Sequence, residues 1–130
     1  MTDQLVHYIL VRRDLPTGAA CAQIVHAAGD SMADFIDYTW PAMPGKRTIA
    51  VVLGVRDQKS LRYYQRRLIE AEISIIPIIE NEGFLGGQLT AIGVVPTFDR
   101  ERVRKVLKKL QPLQEFTGRY PDEAEEKPLL

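Results

Sequence analysis

The sequence predicts an α/β fold: a single three-layer α/β/α domain with a four-stranded mixed sheet, its elements in the order β-α-β-α-β-β-α. Three observations predict it. Apolar, β-branched runs recur as in strands covered on both faces. Longer segments between them carry apolar residues at helical spacing. Glycine, proline, asparagine and aspartate gather at the junctions, and the length of 130 residues suits one domain rather than two.

Residues 4–12 are almost wholly apolar and read as a buried strand ending at Arg12. A turn at Asp14, Leu15, Pro16, Thr17 and Gly18 leads into an alanine-rich helix from about Ala19 to Asp37, with Thr17 as the expected N-cap. Val25, Ala28, Met32, Phe35 and Ile36 share one face and are expected to point inward. Trp40, Pro41, Pro44 and Gly45 make residues 38–46 an irregular connection. Thr48–Val55 is a second buried-type strand, and Asp57 caps a helix whose inward stripe is Leu61, Tyr64, Leu68 and Ala71. Residues 73–79 are a third strand that Pro77 pushes toward an edge or a bulge. A glycine-containing hairpin loop follows, then a strand over 88–95 that Pro96 ends. Asp99 caps a last helix, with Val103, Val106, Leu107 and Leu110 inward. Strands joined by helices imply a largely parallel sheet, to which the direct link between the third and fourth strands adds an antiparallel member.

Hydrophobic residues at 45% and charged residues at 26% exclude disordered and collagen-like classes for the bulk of the chain. No run approaches the roughly 18 apolar residues of a membrane span. The first residues lack the layout of a signal peptide, so the cytosol is the expected compartment and no membrane partner is expected. The single cysteine cannot form an internal disulfide, and no Cys/His cluster has zinc-ligand spacing, so neither a metal nor another cofactor is expected. Net charge is zero, but Asp122, Glu123, Glu125 and Glu126 crowd the last nine residues. Residues 118–130 therefore read as a flexible acidic tail on a domain of residues 1–117, which retains 15 Lys and Arg against 13 Asp and Glu. That excess is small for a nucleic-acid binder, although Arg12, Arg13, Arg56 to Arg67 and Arg100 to Lys109 form local clusters.

Sheets of this kind place ligands at the carboxyl ends of strands and the amino ends of the following helices. Those positions hold Arg12, Arg13 and Asp14, then Arg56 and Asp57, then Glu80, Asn81 and Glu82. Solvated loop charges and caps are the bland alternative. On the first helix Ala19, Gln23, His26, Asp30, Asp34 and Asp37 share a face, where Asp30 could orient the His26 imidazole or raise its pKa. A general base suits that arrangement, and so does a half-buried histidine bonded within its own helix. Cys21 lies about 140° around the helix from His26 and reads as a small buried hydrophobe. His7 reads as a packed strand residue. Gly83, Gly86 and Gly87 make no phosphate-binding fingerprint. Trp40, Phe84 and Phe98 could stack bases, but packing is the commoner use of aromatic residues so spaced.

The run Val11, Arg12, Arg13, Asp14, Leu15, followed by Gly18, Ala19, Ala20, Cys21, Ala22, Gln23, Ile24, Val25, His26, Ala27, Ala28, resembles the opening of type II peptidyl-tRNA hydrolases. Thr90 to Pro96 resembles that family's last strand. The resemblance implies an α/β domain that cleaves, without a metal, the ester between a peptide and the terminal ribose of tRNA. Peptidyl-tRNA or tRNA is then the expected partner; a homodimer is left open. Carried over residue by residue, it implies catalytic parts for His26, Gln23 and Asp14 and phosphate contacts for Arg12, Arg13 and Arg56. The family's lysine falls at Ala19, its acid at Asn81 with Glu80 or Glu82 as shifted substitutes, and its threonine at Leu85. In these departures the chain resembles the divergent peptidyl-tRNA hydrolase domain-containing proteins. The residues present favour a protein that binds tRNA ends with weak or no hydrolysis. An active esterase using His26 and a protein-interaction scaffold are the alternatives.

Overall fold

The computed structural model describes residues 4–35 and 48–121. The elements are β1 (Val6–Arg12), α1 (Thr17–Asp34), β2 (Ile49–Val55), α2 (Gln58–Glu70), β3 (Ile75–Ile79), a 3-10 turn over Gly83–Leu85, β4 (Leu89–Val94), α3 (Arg100–Leu107) and β5 (Gln111–Pro112). The expected irregular connection at 38–46, with Trp40, lies outside the described residues.

The sheet has five strands rather than four, in the order β3-β4-β1-β2-β5. The added member is a two-residue strand, Gln111–Pro112, antiparallel to β2 at Leu53 and Gly54. It is too short to announce itself by alternation, and its proline is tolerated at an edge. β1 and β2 run parallel over seven paired positions, whereas β4 is antiparallel to both β1 and β3. One adjacent pair is therefore parallel, where a largely parallel sheet was expected. β4 returns from the hairpin and inserts between β3 and β1, separating strands that point the same way. Pro77 sits on the edge strand β3, with a register irregularity at Ile78 and Ile79.

Alternation along β1 divides the core. Val6, Tyr8 and Leu10 pack with Leu61 and Leu68 of α2 and Val103 and Leu107 of α3, while Ile9 and Val11 pack with Ala20 and Ala27 of α1. Helices thus cover both faces, and β1 is buried throughout. β2 begins exposed at Ile49 and Ala50, since β5 covers only its far end. Asp57 and Asp99 cap α2 and α3 as expected, accepting from the backbone N–H of Ser60 at 2.9 Å and Arg102 at 3.4 Å.

α1 departs from expectation in three ways. Its first residue is Thr17 itself, Pro16 occupies the N-cap position, and no side chain caps the helix. It ends at Asp34, where Phe35 turns extended. Its buried residues are Ala19, Ala20, Gln23, Ala27 and Ser31, while Val25 is 68% exposed and Cys21 is exposed. The cause is a close approach at Gly93 of β4: a Cβ there would meet Ala27 O, Ser31 Oγ and Ser31 Cβ. Opposite Gly93 only small residues fit beneath a helix so near the sheet, and Val25 is turned to solvent while Ile24 and Ala28 stay partly buried against the core. Ser31 Oγ donates to Ala27 O at 2.5 Å, so its hydroxyl accepts from Nε2–H of His7 at 2.7 Å. Burial holds the His7 imidazole below its ordinary pKa.

Candidate functional site at the amino end of the first helix

The carboxyl end of β1, the amino end of α1 and the turn between β3 and β4 converge through Leu15, Ala19, Phe84 and Leu85, which share one apolar cluster. Above it lies a polar network. Gln23, 3% exposed, donates its Nε2 to Glu80 Oε2 at 2.7 Å and accepts from Thr90 Oγ1 at 2.8 Å. Thr90 Oγ1 also lies 3.2 Å from Ile78 O. The other oxygen of Glu80 accepts from the backbone N–H of Asn81 at 2.8 Å and of Glu82 at 3.3 Å. The Gln23 hydrogen bond is the largest cause holding the Glu80 carboxyl below its ordinary 4.5; the two backbone bonds and the charge of His26 add to it, against the penalty of burial.

His26 stands exposed on the outer side of this network. Across the fold its charge acts on the Glu80 carboxyl, as the smallest of the causes that hold that group low. Asn81 is exposed and contributes its backbone to Glu80, and Leu85 is a core residue, 7% exposed. Ala19 is 8% exposed and packs in the same cluster.

Arg12 and Asp14 form a separate clamp. Arg12 donates Nε and an η nitrogen to the two oxygens of Asp14 at 2.9 and 3.0 Å. Its other η nitrogen donates to Gln88 Oε1 at 2.8 Å and Leu89 O at 3.1 Å. The side chain is 8% exposed, so this guanidinium ties β1 to the start of β4 instead of facing solvent. Arg13 and Arg56 lie elsewhere, lining a cleft of about 570 Å³ with Ser60, Tyr64, Lys109 and Glu115. The stem of Arg13 crosses Gly54, where a Cβ would come within 2.9 Å of its carbons. Arg56 is 74% exposed and contacts Asp57 at 3.3 Å. The expected site residues therefore separate into the Gln23, Glu80 and His26 network, the Arg12–Asp14 clamp, and the basic cleft.

The chain's matched family model is described as Peptidyl-tRNA hydrolase PTH2, and the match spans residues 5–113. The chain belongs to the peptidyl-tRNA hydrolase PTH2 family. Among solved structures, a protein of unknown function from Agrobacterium tumefaciens is similar to it, with a TM-score of 0.65 and 18% identity over 88% of this chain and all of that one, a likeness of fold. No curated protein matches significantly. Gln23, His26, Glu80 and Thr90 all fall within the span matched to the PTH2 model.

Residues 114–121 fall beyond it. There Thr117 donates its backbone N–H to Arg13 O at 2.7 Å, and Gly118 donates to Leu15 O at 3.3 Å. Residues 118–120, where the sequence reading begins its tail, are thus laid against the start of α1; residues 122–130 lie outside the described residues. Thr90 was read only as part of the last strand, not as a partner of Gln23, and Tyr120 was not singled out at all. Thr90 is a polar residue inside an apolar strand, which was a usable cue; Tyr120 sits in a polar, proline-flanked stretch that offers none. Among the described residues, no helix is long and apolar enough to cross a membrane.

Proposed function

We propose that this PTH2 family member holds the 3′ end of tRNA at the amino end of α1 and cleaves its peptidyl ester slowly or not at all. The observation that carries the reading is Ala19. Water adding to an ester carbonyl places negative charge on the oxygen, and a positioned donor or cation must meet it. The position at which the family resemblance calls for lysine holds a methyl group packed in the core cluster. Gln23 brings no positive charge to replace it, and its buried amide is already engaged by Glu80 and Thr90. Loss of one such donor costs about a hundred- to a thousandfold in rate.

Binding asks less of the site. Arg13, Arg56 and Lys109 gather three cations in one cleft for phosphates. The amino end of α1 has no side-chain cap, so its backbone N–H groups are available to an anion. A working esterase is the second reading, and the exposed imidazole of His26, one turn along the helix from Gln23 and its Glu80 partner, favours it. In that reading His26 takes a proton from the attacking water.

Single-turnover release of an N-blocked amino acid from tRNA, with an active family enzyme alongside, tests the proposal. Salt-sensitive tRNA binding is expected, with release at least about a hundredfold below the control and raised by Ala19→Lys. Release at the control's rate, lost in His26→Ala, would establish the esterase instead. Binding without any salt dependence would leave a scaffold.

A further inference from the structure

We infer that Tyr120 is a base-stacking residue, a fixed aromatic shelf at the mouth of the site that receives the unpaired 3′-terminal nucleobase of the bound RNA. The inference rests on the tRNA-end reading above and adds to it a residue beyond the matched span of 5–113.

Four observations place the shelf. Thr117 bonds to Arg13 O through both its backbone N–H, at 2.7 Å, and its hydroxyl, at 3.2 Å, and Gly118 N–H reaches Leu15 O at 3.3 Å, so the segment is pinned to the turn that opens α1. Position 118 must be glycine, because a Cβ would run into the backbone of Asp14 and Leu15. Position 18 leaves room for the ring from the other side: a Cβ there would lie 2.5 Å from the Tyr120 hydroxyl oxygen, so the ring could not keep this place without shifting. Finally, the Tyr120 ring meets Phe84 edge to face, with centroids 5.9 Å apart and planes at 66°. Two glycines that admit the strap and an aromatic pair that orients its ring describe a built wall rather than a passing contact.

That wall is only half covered. Tyr120 keeps 49% of its surface exposed, on a ring fixed beside the amino end of α1. An exposed, immobilised ring beside an anion-attracting helix end suits a nucleotide, whose phosphate and base need those two surfaces together. A free carboxylate or a phosphorylated side chain would use the helix end and leave the ring idle.

The full chain is titrated by fluorescence anisotropy with two short single-stranded RNAs, identical except that the second ends in an abasic ribose. The wild type is expected to bind the first about tenfold or more tightly, as a base stacked on an aromatic ring allows. Tyr120→Leu, which keeps an apolar side chain against Phe84, is expected to bind both RNAs alike, at the abasic level, and with the wild-type salt dependence. Tyr120→Phe is expected to restore the preference. If Tyr120→Leu still favours the intact end, or binds it more tightly than wild type does, Tyr120 is no shelf and the inference is overturned. If the wild type binds both RNAs equally and with a salt slope, the shelf fails while RNA binding stands. If it binds neither, the tRNA-end reading fails and takes the shelf with it.

Discussion

Glu80 shows how one side chain can bind a site together without belonging to the helix that carries it. Its carboxylate satisfies the buried amide of Gln23 and two backbone N–H groups at once, and it faces the charge of His26. Removing it in Glu80→Ala strands Gln23 Nε2 in a residue 3% exposed, which costs roughly 1–3 kcal/mol. Glu80→Gln supplies a neutral acceptor in its place and is expected to lose much less. Urea unfolding at pH 7 orders the three proteins as wild type, Glu80→Gln, Glu80→Ala; equal losses in both variants would show that Gln23 does not depend on position 80. The sign of the pH dependence follows from the lowered pKa. A carboxyl that ionises more readily folded than unfolded contributes stability at neutral pH and loses it as pH falls below 4.5 through the folded value. The wild type's advantage over Glu80→Gln should therefore shrink across that acid range.

At the scale of elements, α1 is positioned by what is absent from the sheet beneath it. Gly93 admits Ala27 and Ser31 to contact with β4, and the imidazole of His7 on β1 closes the seam through Ser31. Gly93→Ala would force the helix outward and is expected to destabilise the protein by about 1–3 kcal/mol, as overpacked cores do. Thermal and urea melts check this; an unchanged midpoint would mean that the seam yields without cost. The same seam explains what was legible in the sequence. Order, capping and inward stripes of α2 and α3 follow from large side chains at helical spacing, because Leu61, Leu68, Val103 and Leu107 meet an ordinary sheet face at ordinary distance. For α1 the rule of size fails at Val25, which faces solvent while Ala19, Ala20, Ala27, Ser31 and Gln23 go inward, and the close fit at Ala27 and Ser31 depends on a glycine far along the chain. His26 and Gln23 were legible as a pair on one helix. Glu80 was legible only as one of two shifted substitutes for the family's acid; that it is the one to meet Gln23 was not, since residue 80 reaches the helix only after β4 has inserted beside β1. Arg12 and Asp14 looked like a free charged mouth, and four hydrogen bonds of the guanidinium turn them into a clamp.

Across the whole molecule, zero net charge conceals a division of labour between charged groups facing inward and charged groups facing out. Arg12 is sequestered, whereas Arg13, Arg56 and Lys109 open on a single cleft with Glu115 as the one acid among its lining residues. Arg56 makes a contact with Asp57 at 3.3 Å, and a pair so exposed contributes little to stability. Its removal can thus be read in binding rather than in folding. If three cations displace three counterions from a single-stranded RNA end, the logarithm of affinity falls with the logarithm of salt at a slope of about −2, near 0.7 for each phosphate. Arg56→Ala is expected to lower that slope by about 0.7 while leaving the thermal midpoint within about a degree, since exposed substitutions rarely shift stability. Titrations of tRNA at four or five salt concentrations measure it. A slope that survives Arg56→Ala and a matching Lys109→Ala would place the phosphates on another surface, such as the basic stretch of Arg104, Lys105 and Lys108 at the end of α3.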